Sequence, residues 1–458
     1  MKIKKIIGSL AAGVAMLAVA GTALADNPTY EINIYGASAQ FTFWNAAVPN
    51  WIKSLTSSTY GCSSSTTVTT STFNSTNKVH TAACTNANII VRVSSKASFD
   101  GILALKGDDS QAASGSTAEK CESGQAGYPT NASDAPYYRK MADETSLSGG
   151  TIASLKCYRV TIGASDVAGA SFKQSSNGSL NGTSAGAYTV RSFSGIDTTG
   201  LTAQKPFLVP FAFYVNTSNS TLNTAMNDNI SRMQAVLLFS GQIADWSQFG
   251  SSYPSLHTTV CLRHAGSGTH STLDYAVLRG GSVTGTGTNW GHTPATTQNT
   301  SFNATTSSLL PTYDSTSPDI YFNDATGDEL NCINNHEGAI GYADADKAWN
   351  STTTSVNYNP IPGYANIKQL KYQGEYATAD SIQHGRYDFW TNEFAYYDTT
   401  QLSTTMRNLV YSTGTPKGIL KYVAGNIPAS ETYFWVDNNV ATMPFTKSTD
   451  QKYPQYGN

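Results

Sequence analysis

The 458-residue sequence predicts an α/β protein with two domains. Three observations lead to this class. Apolar runs typical of strands alternate with segments whose apolar residues recur at helical spacing. The chain is long enough to form more than one hydrophobic core. The apolar run at 207–216 is long enough to pass from one domain to the other.

The first 25 residues have the pattern of a secretory signal peptide. Three lysines among the first five residues precede an apolar run at 6–21, which is short for a membrane span. Small residues at 23–25 suit cleavage before Asp26. Since no second run of membrane length follows, we expect a periplasmic or extracellular protein without membrane insertion.

The charge balance excludes two classes of general partner. The chain has 28 basic and 31 acidic residues. Removing the three lysines of the signal leaves 25 basic residues against 31 acidic ones, a net charge of −6. This balance argues against nucleic acid and anionic membranes, so an anionic ligand would need a local site.

Six cysteines, an even number in an exported chain, predict disulfides. Six cysteines allow about 15 pairings. Their order along the chain favours local pairs among these: Cys62–Cys84, Cys121–Cys157 and Cys261–Cys332. The first two pairs would staple loop-rich, Ser/Thr/Asn-rich insertions at 55–88 and 107–156. No spacing typical of haem or structural zinc occurs, so we expect no cofactor and no metal.

Four predicted strands each lead to a turn rich in small or hydroxyl residues. The strands cover residues 30–35, 89–93, 158–162 and 260–262. The turns cover residues 36–41, 98–101, 163–166 and 263–269. Ligands of open α/β sheets lie beyond the carboxyl ends of strands. All four turns are therefore candidates for lining the same ligand-binding cleft.

The later elements set the predicted domain boundaries. We predict helices over residues 233–239, 402–410 and 418–424. A turn and strand at 337–342 would return the chain to the first domain, which would also hold strands at 367–370 and 387–390. After the signal peptide at 1–25, lobe 1 is therefore expected to comprise 26–208 plus 343–458, and lobe 2 to comprise 209–342.

The turn at 263–269 has the residue types of an anion site. Arg263 supplies a full charge on a planar donor fork. Gly266 and Gly268 let the backbone approach a bound group closely. Ser267 or Thr269 could cap the following helix, whose first N–H groups favour an anion. Taken alone, this turn also fits a capped strand–turn–helix with a surface arginine.

Asp166 lies at a predicted strand end among small residues. A carboxylate there can only accept hydrogen bonds, so it would favour a ligand that still carries a proton. Taken alone, the same residue also fits an Asx-turn or a helix N-cap.

Five segments together resemble the phosphate-binding receptors of bacterial phosphate ABC transporters, including their secreted relatives, the DING proteins. The segments are residues 36–41, 163–166, 239–246, 263–269 and 338–342. The resemblance runs from about residue 30 to 440, interrupted by the insertions. It implies a type II periplasmic-binding-protein fold, in which two α/β lobes joined by a two-strand hinge close over the ligand.

The resemblance also implies a set of ligand-binding residues. They are Gln40, Phe41, Ser98, Asp166, Arg263, Ser267, Gly268 and Thr269. In this set Arg263 supplies the charge, and Asp166 distinguishes hydrogen phosphate from sulfate. The sequence departs from the family at two positions: Gln40 stands where a hydroxyl residue is usual, and Ala265 stands where an acid is usual.

The function that follows is a monomeric, secreted solute-binding receptor for phosphate or a similar protonated oxyanion, serving an ABC transporter permease. We expect no catalysis, since no histidine base is evident for Ser267. The alternative is a binding-protein fold repurposed as a cell-surface or extracellular-matrix interaction protein. The uncharged insertions and the 26 tyrosines motivate that alternative.

Overall fold

The structure is a computed structural model. It describes residues 27–112, 119–148, 150–178, 189–279, 293–296, 302–303, 308–309, 316–438 and 443–457. The predicted signal peptide lies outside these residues, as does most of a further insertion at 280–318. No helix among the described residues is long and apolar enough to cross a membrane.

Two large sheets are formed by strands from the whole described chain. These strands are β1 Thr29–Ala37, β2 Thr69–Asn74, β3 Asn77–Ala83, β4 Asn88–Lys96, β5 Leu147–Ser148, β6 Thr151–Ile152, β7 Ile162–Ser165, β8 Thr202–Gln204, β9 Phe207–Asn216, β10 Asn229–Ile230, β11 Thr259–Arg263, β12 Asp319–Asn323, β13 Ala339–Asp344, β14 Ile367–Tyr372, β15 Trp390–Asn392, β16 Phe394–Tyr397 and β17 Val436–Asp437. Shorter two-stranded pairs lie outside them, such as Tyr138–Ala142 with Leu155–Arg159.

The α-helices are α1 Phe41–Lys53, α2 Ser98–Lys106, α3 Ser220–Met226, α4 Arg232–Phe239, α5 Gly268–Thr272, α6 Thr326–Asn335, α7 Ala379–Gln383, α8 Thr404–Val410 and α9 Ile419–Val423. Helix α5 continues as a π-helical turn, Leu273–Leu278. The predicted α/β class is confirmed, and the predicted helices at 233–239, 402–410 and 418–424 correspond to α4, α8 and α9.

The first sheet has the strand order β8-β16-β7-β1-β4-β3-β2-β6-β5. At its centre β1 runs parallel to β4 and β7, so the carboxyl ends of these strands lie at one edge. Helix α1 packs Phe43 and Trp44 into a core with Ile34, while α2 packs Ile102 into a second core with Tyr35. Successive residues of β1 thus face two different cores, as expected for a strand buried on both faces.

The second sheet has the strand order β10-β14-β9-β13-β11-β12, and β15 and β17 also pair with β9. Strand β11 runs parallel to β12 and β13. Every residue of β9 and of β11 is buried. Helix α6 packs against β11, β12 and β13. The turn that contains Arg263 therefore begins at a fully buried strand end.

The chain passes between the sheets at two places. Strand β9 follows β8 of the first sheet directly, which confirms that the apolar run at 207–216 links the two sheets. Its first residues pair with β15, and its later residues pair with β13 and β14. Strand β15 leads through Glu393 into β16 of the first sheet. Both crossings meet where the Glu393 N–H donates to the Phe207 carbonyl at 2.9 Å.

Three predicted placements are wrong. The strands at 367–370 and 387–390 are expected in the first domain, but β14 and β15, which begins at Trp390, both pair with β9 of the second sheet. Strand β13 also stays in the second sheet, so the return crossing comes at Glu393 instead of after residue 342. Local patterns identify a strand, whereas its partner is decided by long-range packing. The division of the chain into two lobes stays a prediction, and the correction here concerns the placement of these strands.

Three disulfides connect the six cysteines: Cys62–Cys84, Cys121–Cys157 and Cys261–Cys332. This is the predicted local pairing. The first closes the insertion after α1, and the second staples the segment before β7. The third joins β11 to α6, so it fixes the strand that carries Arg263 against the helix that begins at Thr326.

Candidate functional site

The candidate site lies where turns from the two sheets touch. In the first sheet, β4 and β7 lead to Ser98 and Asp166 at the same edge. The turn after β11 of the second sheet faces them. Its Gly268 N–H donates to Ser98 Oγ at 3.1 Å, and Thr269 Oγ1 donates to Asp166 Oδ2 at 3.4 Å. The structure thus brings together residues that are up to 171 positions apart in the chain.

Asp166 is the centre of this group. Its side chain is buried, with Gln40 Nε2 donating to Oδ1 at 3.1 Å and Ser98 Oγ donating to Oδ2 at 3.1 Å. Burial raises the pKa of Asp166 to about 6, against the two hydrogen bonds from Gln40 and Ser98, which lower it. A carboxyl with this pKa changes charge near neutral pH.

Gln40 and Phe41 occupy the first turn in different ways. Gln40 is buried between Asp166 and Trp44, whose indole Nε1 donates to Gln40 Oε1 at 3.0 Å. Gln40 therefore fixes the orientation of Asp166. Phe41 opens helix α1, and its N–H donates to the Ser38 carbonyl. Its ring lies 5.7 Å from the Lys78 ammonium, so these contacts do not place Phe41 in the Asp166 group.

Arg263 is buried beside this group. Its Nη1 donates to Ser38 Oγ and to Thr326 Oγ1, both at 3.2 Å, and its Nη2 donates to the Asp324 carbonyl at 2.7 Å. Its Nε has no hydrogen-bond partner among the described residues. The guanidinium is thus held in one orientation from both sheets, and its Nε–H remains free to donate.

The glycines of the turn allow the two sheets to approach. A Cβ at Gly268 would lie 2.6 Å from Ser98 Oγ and 2.7 Å from Asp166 Cβ. A Cβ at Gly266 would lie 2.3 Å from the Phe99 ring. Ser267 stands at the N-cap of α5, but its side chain makes no capping hydrogen bond. A side chain larger than hydrogen would therefore push this interface apart at Gly266 or Gly268.

Buried acids surround the guanidinium. Thr326 Oγ1 donates to Asp344 Oδ1 at 3.1 Å, and Asp344 pairs with Lys347 at 2.5 Å. Burial raises the pKa of Glu329 well above its usual range, although the charge of Arg263 opposes this. Arg263 therefore lies among buried acids, one of which also pairs with Lys347, and these acids limit how much negative charge a ligand can bring.

Two histidines next to the turn are neutral. Burial lowers the pKa of His264 to about 4 and that of His270 to about 3. His264 Nδ1 accepts from the Gly266 N–H at 3.0 Å, and His270 Nδ1 lies 2.7 Å from the Tyr342 hydroxyl. That hydroxyl also accepts from the Arg263 N–H at 3.1 Å, so it links His270 to the backbone of the turn. These contacts hold the turn in place without adding charge.

Three contacts of Arg263 were not predicted from the sequence. Ser38 lies in the first turn, two positions before Gln40. Its hydroxyl is the sequence feature from which the contact with Arg263 could have been predicted. Asp324 and Thr326 lie at the end of β12 and the start of α6, which no motif identified. Within the described parts of the chain, no group of three or more His, Cys, Asp or Glu side chains could hold a metal ion.

Comparison with known proteins gives one family match. The family model described as PBP superfamily domain matches residues 180–424. No curated protein matches the chain.

Several solved structures are similar to this chain at 12–14% identity. An ABC-type phosphate transport receptor from Vibrio cholerae has 12% identity and a TM-score of 0.40, covering 88% of this chain and 99% of its own. A phosphate binding protein from Stenotrophomonas maltophilia has 13% identity and a TM-score of 0.37, covering 90% of each chain. A DING protein has 14% identity and a TM-score of 0.42, covering 91% of this chain and 95% of its own.

Proposed function

The chain belongs to the PBP superfamily, and from this premise we propose that it is a solute-binding receptor for phosphate or a similar protonated oxyanion. The observation that carries the proposal is the meeting of Ser98, Asp166, Gly268 and Thr269 where turns from two sheets touch, with Arg263 near enough for its charge to lower the pKa of Asp166. One charged fork, two hydroxyls, a helix-start N–H and a buried carboxyl form a set suited to an oxyanion. Of the eight residues predicted from the sequence, we propose Ser98, Asp166, Arg263, Ser267, Gly268 and Thr269 as ligand-binding residues, together with Ser38 and Thr326. Gln40 would act by holding Asp166.

Arg263 supports an anionic ligand. Its unpartnered Nε can donate to an incoming oxygen, and the Ser38 and Thr326 hydroxyls next to Nη1 can rotate toward the same ligand. Hydrogen bonds to a charged group contribute about 1.5–3 kcal/mol each. An arginine already oriented by its neighbours loses little side-chain entropy on binding.

Asp166 supports selection of a protonated ligand. Three donors already occupy lone pairs of its carboxylate, one at Oδ1 and two at Oδ2. The remaining acceptor position can take the proton of hydrogen phosphate, which sulfate lacks at neutral pH. A buried carboxylate facing a fully ionised oxyanion would cost on the order of several kcal/mol.

The wider role in the proposal is delivery of the ligand to an ABC transporter permease after export, without chemical change of the ligand. The three disulfides fit an oxidising compartment. Among the described residues, no hydrogen bond joins the Ser267 side chain to a histidine, as activation of a serine nucleophile would require. The closure of two lobes over the ligand belongs to the same proposal.

Calorimetric titration with phosphate and with sulfate at pH 7 tests the proposal. We expect phosphate to bind and sulfate to bind far more weakly. Arg263→Ala should weaken phosphate binding by about tenfold to a hundredfold, since it removes a charged donor. Arg159→Ala is the matched control, because this arginine pairs with exposed Gln401. Absence of phosphate binding below millimolar concentration would eliminate phosphate as the ligand.

A further inference from the structure

A segment near the C-terminus, residues 443–457, lies across the boundary between the two sheets; we name it the C-terminal strap. It forms a short hairpin, Phe445–Thr446 with Gln455–Tyr456. Between these strands, Lys447 and Asp450 are both buried, with 6% of their surface exposed. Burying two charged side chains is costly unless each has partners, so their contacts identify what the strap holds.

The first set of contacts reaches the first sheet. Asp450 Oδ2 accepts from the Ala168 N–H at 2.8 Å and from Ser171 Oγ at 2.6 Å. Ala168 follows Asp166 by two residues, in the turn that carries the candidate site. The strap therefore binds the segment that directly follows Asp166.

The second set reaches the segment that follows the candidate turn of the second sheet. Arg279, at the end of the π-helical turn after α5, donates from Nη2 to the Gln451 carbonyl at 3.1 Å. Its guanidinium also lies 3.7 Å from the centre of the Tyr453 ring. A cation stacked on an aromatic face adds an attractive contact beyond the hydrogen bond.

A third set fixes the strap at the crossing between the sheets. Lys447 Nζ donates to the Trp390 carbonyl, and to the Asp388 carbonyl at 3.2 Å. Thr391 Oγ1 donates to Asp450 Oδ1 at 3.4 Å. The strap is thus attached to both sheets and to the strand that connects them.

This arrangement has a mechanical consequence. If the two sheets separate, Asp450 cannot keep its bonds to Ala168 and Ser171 while Gln451 and Tyr453 keep theirs to Arg279. Opening therefore requires one set of contacts to break. The Tyr275 hydroxyl also donates to the Ser171 carbonyl at 2.6 Å, so the strap adds to an existing contact between the two sides.

We propose that the C-terminal strap is a latch, in which Asp450 bound to Ala168 and Ser171 holds the two sheets closed and slows release of the ligand. This inference rests on the proposed function for its effect on ligand release. The latch itself acts on the closed arrangement, so it can be measured without any ligand. It predicts an effect on the dissociation rate and little effect on the association rate.

The test compares the wild-type protein with Asp450→Ala and Ser171→Ala, with Gln455→Ala as the control on the exposed part of the strap. Stopped-flow measurement with inorganic phosphate should give about tenfold faster dissociation for Asp450→Ala, since a charged acceptor of two bonds is removed. Ser171→Ala removes one of these donors and should give a smaller increase in the same direction. Association rates should stay within about twofold of the wild type.

A second measurement needs no ligand. Hydrogen exchange in peptides covering residues 264–272 reports on Gly268, whose N–H bonds to Ser98 across the two sheets. This exchange should be faster in Asp450→Ala and unchanged in Gln455→Ala. Unchanged exchange there in both Asp450→Ala and Ser171→Ala would overturn the latch, whether or not phosphate binds. A wild-type protein that shows no phosphate binding would overturn the proposed function and leave the exchange result to decide the latch.

Discussion

The buried Asp166 should make the stability of the ligand-free protein depend on pH. Its pKa is about 6 in the folded protein, compared with 3.8 for a free side chain, because burial disfavours the charged form. Because the pKa of Asp166 is raised in the folded protein, the contribution of this carboxyl to stability is fully present below about pH 4. That contribution is lost as the pH rises through about 6, because the folded protein then holds a buried charge. A shift of about two pKa units corresponds to about 3 kcal/mol.

Urea unfolding of wild type and Asp166→Asn at pH 4, 6 and 8 measures the contribution of Asp166 ionisation to the free energy of unfolding. The variant lacks the titrating group but has nearly the same volume, so its lost hydrogen bonds contribute about equally at each pH. Between pH 4 and pH 8, the wild type should lose about 3 kcal/mol more unfolding free energy than the variant. Parallel curves for the two proteins across this range would refute the argument that Asp166 is buried and titrates near pH 6.

Two further predictions concern packing and cross-linking. Gly268→Ala should destabilise the protein by about 1–3 kcal/mol and weaken phosphate binding, because its Cβ would meet Ser98 and Asp166. The control is Gly327→Ala in α6, where a Cβ would meet open space, and it should leave phosphate binding unchanged. Urea unfolding and calorimetry compare the two variants. Equal effects in both would contradict the argument from close packing at Gly268. Replacing Cys261–Cys332, which spans 71 residues, with serines should cost about 4 kcal/mol, against about 3 kcal/mol for Cys62–Cys84, which spans 22. The reverse order in urea unfolding would count against chain entropy as the cause.

The parts of the fold that local signals determine could be predicted from the sequence. The apolar run at 207–216 corresponds to β9, and the three disulfides follow the predicted order. The turns that hold Ser98 and Asp166 could be expected to meet because they follow parallel strands at one sheet edge. In these cases the prediction depends only on neighbouring residues or on the direction of a strand.

Features that depend on distant partners could not be predicted in this way. The strand at 367–372 has an ordinary apolar pattern, and nothing in it indicates pairing with β9. Gln40 was expected to contact the ligand, but its amide is held between Trp44 and Asp166. Thr326 lies 63 residues after Arg263, so its contact with the guanidinium becomes visible only in the folded chain.

Under the proposed function, the charges around Arg263 favour a ligand that retains a proton over a fully ionised one. The charge of Asp344 raises the pKa of Asp166, while that of Arg263 lowers it, so the two carboxyls and the guanidinium influence one another. A dianion, whether hydrogen phosphate or sulfate, would meet a guanidinium already shared with these acids, so the singly charged dihydrogen phosphate would meet the least repulsion. Binding would then favour protonation of Asp166 or of the ligand, and either route links binding to uptake of a proton. Phosphate affinity should consequently fall as the pH rises above 7, and Asp166→Asn should reduce that slope in calorimetric titrations.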